Sequence, residues 1–127
     1  MAVSYVVVER GNPLKPGNPK KFYAQAKSSG EVTLKKLSKK IAEGSTTVSD
    51  TDVLAVLNDL TKMLSKHLSE GRIVRFGNFG SFQITVSSTG AETESKFNAS
   101  LIDKAKVIFR PGIDLREKVA TLKFEKI

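Results

Sequence analysis

The chain has 127 residues, 39% of them hydrophobic, which is enough for one packed core with extensions and short for two independent ones. Twenty-one Lys and Arg against thirteen Asp and Glu give a formal charge of +8, which suits a polyanionic partner such as nucleic acid or an acidic membrane surface, or simply keeps the chain in solution. No Cys is present, which excludes disulfides and thiolate metal sites; no apolar run reaches the roughly 18 residues that cross a bilayer, and Met1 to Arg10 lacks the basic-then-apolar order of a leader, so the sequence reads as soluble and intracellular.

Val3 to Glu9 is rich in β-branched residues and predicts a strand. Arg10 to Lys20 carries three Pro and two Gly and predicts a loop. Lys21 to Lys27 alternates Phe22, Ala24 and Ala26 against Tyr23, Gln25 and Lys27, which completes a hairpin. From Thr33 the period changes to about 3.6: Leu34, Leu37 and Ile41 predict a helix that Gly44 ends. Lys35, Lys36, Lys39 and Lys40 form two i,i+4 pairs away from that apolar stripe; they line a phosphate backbone or are an ordinary solvated face.

Ser49 predicts the N-cap of a second, longer helix, with Asp52 near its start and Val48 placed to staple on Val53. Its stripe of Val53, Val56, Leu57, Leu60, Met63, Leu64 and Leu68 is wider than one small partner element covers, and Gly71 ends it. Ile73 to Val86 predicts two short strands around Gly77, Asn78 and Gly80, a turn that needs unusual backbone angles. Ser87 to Lys96 reads as an exposed hairpin tip, Asn98 to Lys104 as a short capped helical turn, and Val107 to Phe109 as a returning strand. Pro111-Gly112 introduces a helix over about Ile113 to Ala120, and Leu122, Phe124 and Ile127 alternate in a final strand.

The charge is uneven. Residues 1 to 49 hold nine basic and three acidic side chains, residues 50 to 86 four and four, and residues 87 to 127 eight and six, so the excess sits mainly in the first third.

Two motifs stand in order. Gly71-Arg72-Ile73-Val74-Arg75-Phe76-Gly77-Asn78-Phe79-Gly80-Ser81-Phe82 is followed, after a polar hairpin, by Phe109-Arg110-Pro111-Gly112. With the two helices before them, they resemble the HU/integration host factor family of histone-like proteins, best over Val48 to Phe82 and Val107 to Val119. Asn78 stands where that family usually has Gly, a mild change because Asn tolerates positive φ.

The resemblance implies an α+β fold: an intertwined homodimer with two helices at its base, a small antiparallel sheet, a hairpin arm and a short last helix. It divides the chain into an extension of strands over 1–30, an HU-like DNA-binding domain over 31–120 and a C-terminal strand over 121–127. The broad apolar stripe on the second helix supports obligate pairing independently. The implied partner is double-stranded DNA, bound as a nucleoid-associated protein in the cytoplasm, without enzymatic activity and without a membrane. Arg110 and Arg116 match family positions that face the DNA backbone, Ile113 replaces a third basic one, and Arg75 and Lys106 lie near these strands. The arm departs from the family. Thr85 and Ser87 stand where typical members have Arg, no Pro occurs between Gly80 and Arg110, and Ser87 to Asp103 holds one Lys against Glu92, Glu94 and Asp103. A shorter, weakly acidic arm predicts weaker bending.

Phe76, Phe79, Phe82 and Phe109 read as core rather than as stacking platforms. His67 lacks a second His or a Cys nearby, so no metal is expected, and nothing in the sequence calls for a cofactor. There is no Gly-rich phosphate loop, no paired His and carboxylate motif and no nucleophile signature. The rival reading is a dimeric scaffold that keeps the HU-like base without DNA contact. In that reading the two chain ends pair into an extra sheet whose edge takes a protein partner.

Overall fold

The computed structural model describes residues 2–44 and 47–127. Its elements run β1 (Val3–Arg10), β2 (Lys21–Lys27), α1 (Leu34–Gly44), α2 (Asp50–Ser69), β3 (Val74–Phe76), β4 (Gly80–Ser88), β5 (Ile102–Pro111), α3 (Ile113–Ala120) and β6 (Phe124–Lys126). The architecture is α+β with two three-stranded sheets, ordered β2-β1-β6 and β3-β4-β5. The chain divides into two compact units, one formed by residues up to Thr33 with Lys118–Ile127, the other by Leu34–Glu117.

In the smaller unit the β-branched run of β1 makes it the central strand. It pairs antiparallel with β2, Tyr5 opposite Ala26 and Arg10 opposite Lys21, and parallel with β6, Val3 opposite Phe124. The alternation of β2 is therefore that of an amphipathic sheet. Val3, Tyr5, Val7, Ala24, Ala26 and Phe124 share one face, and Val8, Arg10, Lys21, Tyr23 and Lys27 share the other. The expected pairing of the chain ends is present, although of Leu122, Phe124 and Ile127 only Phe124 lies in the strand.

In the larger unit α2 begins as its capping pattern predicts: Ser49 Oγ accepts the Asp52 amide at 3.1 Å, and Asp50 and Asp52 sit in the positive first turn. It ends at Gly71, where the Gly71 amide donates to Leu68 O and the Arg72 amide to His67 O. His67 is half-buried, and its Nδ1 lies 2.9 Å from the Arg72 guanidinium, which also pairs with Glu70.

The predicted helical stripes divide into two faces. On α2, Val53, Leu57 and Leu64 are half-buried and Leu68 is 7% exposed, whereas Val56, Leu60 and Met63 remain 66%, 40% and 48% exposed. On α1, Leu37 and Ile41 of the predicted apolar stripe are 39% and 46% exposed in the single chain, while Leu34 is half-buried. Ser38 is buried in their place, with its hydroxyl donating to Lys35 O at 2.6 Å. A small hydroxyl residue allows close approach at that point, and its own backbone acceptor satisfies the buried O–H.

The sheet β3-β4-β5 differs most from expectation. Strand β4 has nine residues and continues through Ser87 and Ser88. Strand β5 starts at Ile102 rather than Val107, so the arm is a long ribbon and not the short one predicted. The helical turn expected over Asn98 to Lys104 shrinks to Ala99–Leu101, with Asn98 Oδ1 accepting the Ser100 amide. Adjacent polar Asp103 and Lys104 concealed the strand, because they break the apolar alternation where the ladder shifts register between Ser87 and Ser88. In the β3–β4 turn the positive φ falls on Gly77 at +51°, and among the described residues no non-Gly residue has one, so Asn78 does not use the tolerance ascribed to it.

Candidate nucleic-acid interface

The two faces of the arm sheet have opposite chemistry. On one, Phe82 lies opposite Phe109 and Ile84 opposite Val107. Four rings follow one another there: Phe76 to Phe82 at 5.4 Å, Phe82 to Phe109 at 4.9 Å and Phe109 to Phe79 at 5.5 Å. These tilted and edge contacts hold the base of the ribbon, but the core reading holds only in part: Phe76 and Phe82 are half-buried, whereas Phe79 and Phe109 stay 49% and 36% exposed.

The other face is polar and cationic. Arg75 lies opposite Ser81 and Ser81 opposite Arg110, which sets the two guanidinium groups at either end of one row across the sheet. Two residues further along each strand come Gln83 and Ile108, then Thr85 and Lys106, then Ser87 and Lys104. At the rise of an extended chain, Lys106 and Arg110 stand about 13 Å apart on this face. Lys104 belongs to the same stripe and was missed from the sequence; a period-two reading of the whole of β5 would have found it.

Arg116 joins from α3. Pro111-Gly112 turns the chain off β5, and the Gly112 amide donates to Phe79 O at 2.7 Å while the Asp114 amide donates to Asn78 O at 3.2 Å. The helix start is thereby tied to the β3–β4 turn. A Cβ on Gly112 would collide with Asn78 O, and one on Gly80 would lie 2.6 Å from Arg110 O, so both motifs need glycine for close backbone approach. Arg116 Nε points back to Gly112 O at 3.4 Å.

The outcome is a recess of about 360 Å³ whose lining includes Arg75, Arg110 and Arg116 with Ser81, Gln83 and Gly112, and no acidic residue. None of the three arginines forms an ion pair with an acidic side chain among the described residues. The structure thus brings together three of the predicted residues and sets Lys106 on the same sheet face. Lys35, Lys36, Lys39 and Lys40 are exposed on α1 and do not line the recess. At the arm's end, Thr89 binds Leu101 O and Asp103, and Lys96 pairs with Glu92 at 3.4 Å, so the one lysine of this segment is already matched by an acid. No group of His and acidic residues suited to a metal occurs among the described residues.

A family model described as an HU domain fused to a wHTH, Ig or glycine-rich motif matches residues 1–126. The chain belongs to this HU-HIG family. Among solved structures, it resembles a chain from Bacteroides vulgatus described as a candidate bacterial DNA-binding protein, with TM-score 0.65 and 12% identity over 99% of this chain. That match covers 48% of the Bacteroides chain, so the present sequence spans about half of its length. It also resembles Anabaena HU crystallised with DNA, with TM-score 0.53 and 23% identity, covering 71% of this chain and 99% of that one. At these identities the likeness concerns the fold. No curated protein matches. No helix among the described residues is long and apolar enough to cross a membrane.

Proposed function

We propose that this HU-HIG chain binds double-stranded DNA as a homodimer, without enzymatic activity and largely without regard to sequence, in the nucleoid. The observation that carries the reading is the convergence of Arg75, Arg110 and Arg116 in one acid-free recess at the foot of the arm. Guanidinium groups without an acidic partner among the described residues are available to phosphate oxygens, and release of the counterions around DNA drives sequence-independent binding. Lys106 extends the contact along β5, and Lys35, Lys36, Lys39 and Lys40 add a second row on α1. We keep the division into an extension over 1–30, an HU-like domain over 31–120 and a terminal strand over 121–127.

Dimerisation is supported by surface. The chain exposes 10662 Å², where two separate compact bodies of the sizes of its two units would expose roughly 8,000 Å² together. The excess includes Leu37, Ile41, Val56, Leu60 and Met63, the apolar faces that a single chain leaves uncovered. The arm has no Pro and a neutralised lysine in its terminal segment, so bending is weaker than for a wedge-bearing ribbon.

The test is titration of a short duplex at low and moderate salt with the full chain and with Arg110→Gln/Arg116→Gln. The full chain associates at low salt and releases as salt rises, and the variant binds more weakly with a shallower salt dependence. Absence of association at low salt removes the reading. A second reading, a dimeric scaffold for a protein partner, is favoured by one feature: β2 is a sheet edge with all seven residues exposed.

A further inference from the structure

The cations of the first third of the sequence all lie outside the recess, and the structure gathers part of them at one end of the smaller unit. Between residues 10 and 21 stand Arg10, Lys15, Lys20 and Lys21, with no Asp or Glu. Arg10 and Lys21 are directly opposed across the β1–β2 ladder, on the same face as Tyr23. Like charges in that position repel, and neither forms an ion pair with an acidic side chain among the described residues. The intervening loop is ordered by its own hydrogen bonds: Asn12 Oδ1 accepts the Leu14 amide at 2.9 Å, Asn12 O accepts the Lys15 amide, and Lys15 O accepts the Asn18 amide. The aliphatic stem of Lys20 lies along Gly11, which sets its ammonium group at this end of the hairpin. Arg10, Lys21 and Tyr23 line a recess of about 240 Å³ together with Asn12 and Asn18.

We infer that this end of the extension is a second phosphate-binding surface, occupied by the backbone of duplex DNA. The inference rests on the reading of the chain as a DNA binder and assigns to the extension its own share of the contact. A like-charged pair left uncompensated on a strand ladder is relieved by an anion between its members. The neutral amides of Asn12 and Asn18 and the Tyr23 hydroxyl are the further donors that phosphate oxygens accept. DNA fits better than an acidic lipid surface because the continuous apolar row of the sheet, Val3, Tyr5, Val7 and Phe124, is on the opposite face, and the cationic loop itself offers a bilayer one exposed leucine, Leu14.

The experiment is the salt dependence of binding to one duplex, measured for four full-length proteins: the parent, Lys15→Gln/Lys20→Gln, Arg110→Gln/Arg116→Gln, and Lys62→Gln/Lys66→Gln as a charge-matched control on α2. Lys15 and Lys20 lie outside the strands, so their replacement leaves the ladder intact. Each phosphate contact contributes about 0.9 to the slope of log K against log salt, so losing two per subunit makes the slope shallower by about 2 to 4. The loss of affinity between 50 and 200 mM salt then shrinks about tenfold or more. The control is expected to keep the parent slope. A loop variant that keeps the parent slope, or changes it no more than the control does, overturns the inference while the recess reading stands. A recess variant with the parent slope beside a shallower loop variant overturns the recess reading and leaves this one.

Discussion

Replacing Gly112 by Ala tests whether the recess depends on the contact between Pro111-Gly112 and the β3–β4 turn. A Cβ at this position would overlap Asn78 O and lie 2.6 Å from Asn78 C and 3.0 Å from Gly80 N. All three neighbours are backbone, so no side chain can swing away and the turn or the start of α3 must move. Relieving such overpacking costs about 1 to 3 kcal/mol. The movement strains the hydrogen bonds from Gly112 N to Phe79 O and from Asp114 N to Asn78 O, each worth about 1 kcal/mol. The combined loss is about 2 to 4 kcal/mol, which lowers the melting temperature of a unit this size by roughly 10 to 20 °C. Thermal unfolding followed by circular dichroism at fixed protein concentration measures it, with Gly90→Ala as the control, because nothing lies within 4 Å of a Cβ there. The DNA affinity of Gly112→Ala should fall as well, since Arg116 is carried by the displaced helix start. A Gly112→Ala protein that melts within 2 °C of the parent would refute the reasoning.

Further outcomes are expected. Leu60→Glu places a charge in the uncovered stripe of α2 and should shift the protein to a smaller species or prevent folding; sedimentation giving a parent-sized dimer would contradict the assigned interface. Phe82→Ala removes a ring that touches two others and should cost about 3 to 5 kcal/mol in denaturant unfolding. Ser49→Ala deletes the cap on the Asp52 amide and should cost about 1 kcal/mol, while Ser49→Asp should preserve stability. Fluorescence energy transfer across an end-labelled duplex should show little shortening on binding, and sharp bending would show that a residue other than Pro acts as the wedge.

Most elements were legible because their signals are local. The cap of α2, the Pro and Gly loop before β2 and the Pro111-Gly112 entry to α3 each rest on chemistry within four residues. The misplaced features depend on neighbours that are distant in sequence. Strand β5 begins five residues early because its outer half pairs with the part of β4 beyond the reach of β3, and such a two-stranded ribbon imposes no hydrophobic alternation strong enough to be read. Ser38 is buried and Leu37 is not because the contact with α2, together with a face left open, sets the rotation of α1. For the site, Arg110 and Arg116 were reached through the tetrapeptide they border, and Arg75 through its proximity to the strands. Their convergence required the register that sets Ser81 between Arg75 and Arg110, which no local pattern encodes.

The parallel pairing of β6 with β1 joins residues separated by nearly the whole chain, since Val3 meets Phe124. Loop closure over that distance is entropically costly unless the intervening unit has already folded and shortened the path. The pairing of β6 with β1 is therefore expected to close after that unit has folded. A chain cut short before Phe124 keeps the β1–β2 hairpin but leaves the flank of β1 at Val3 to Tyr5 open, with backbone groups free to recruit a strand from another molecule. Loss of the final few residues thus adds a second exposed flank to a sheet whose β2 edge is already open, and it does so without touching Arg75, Arg110 or Arg116.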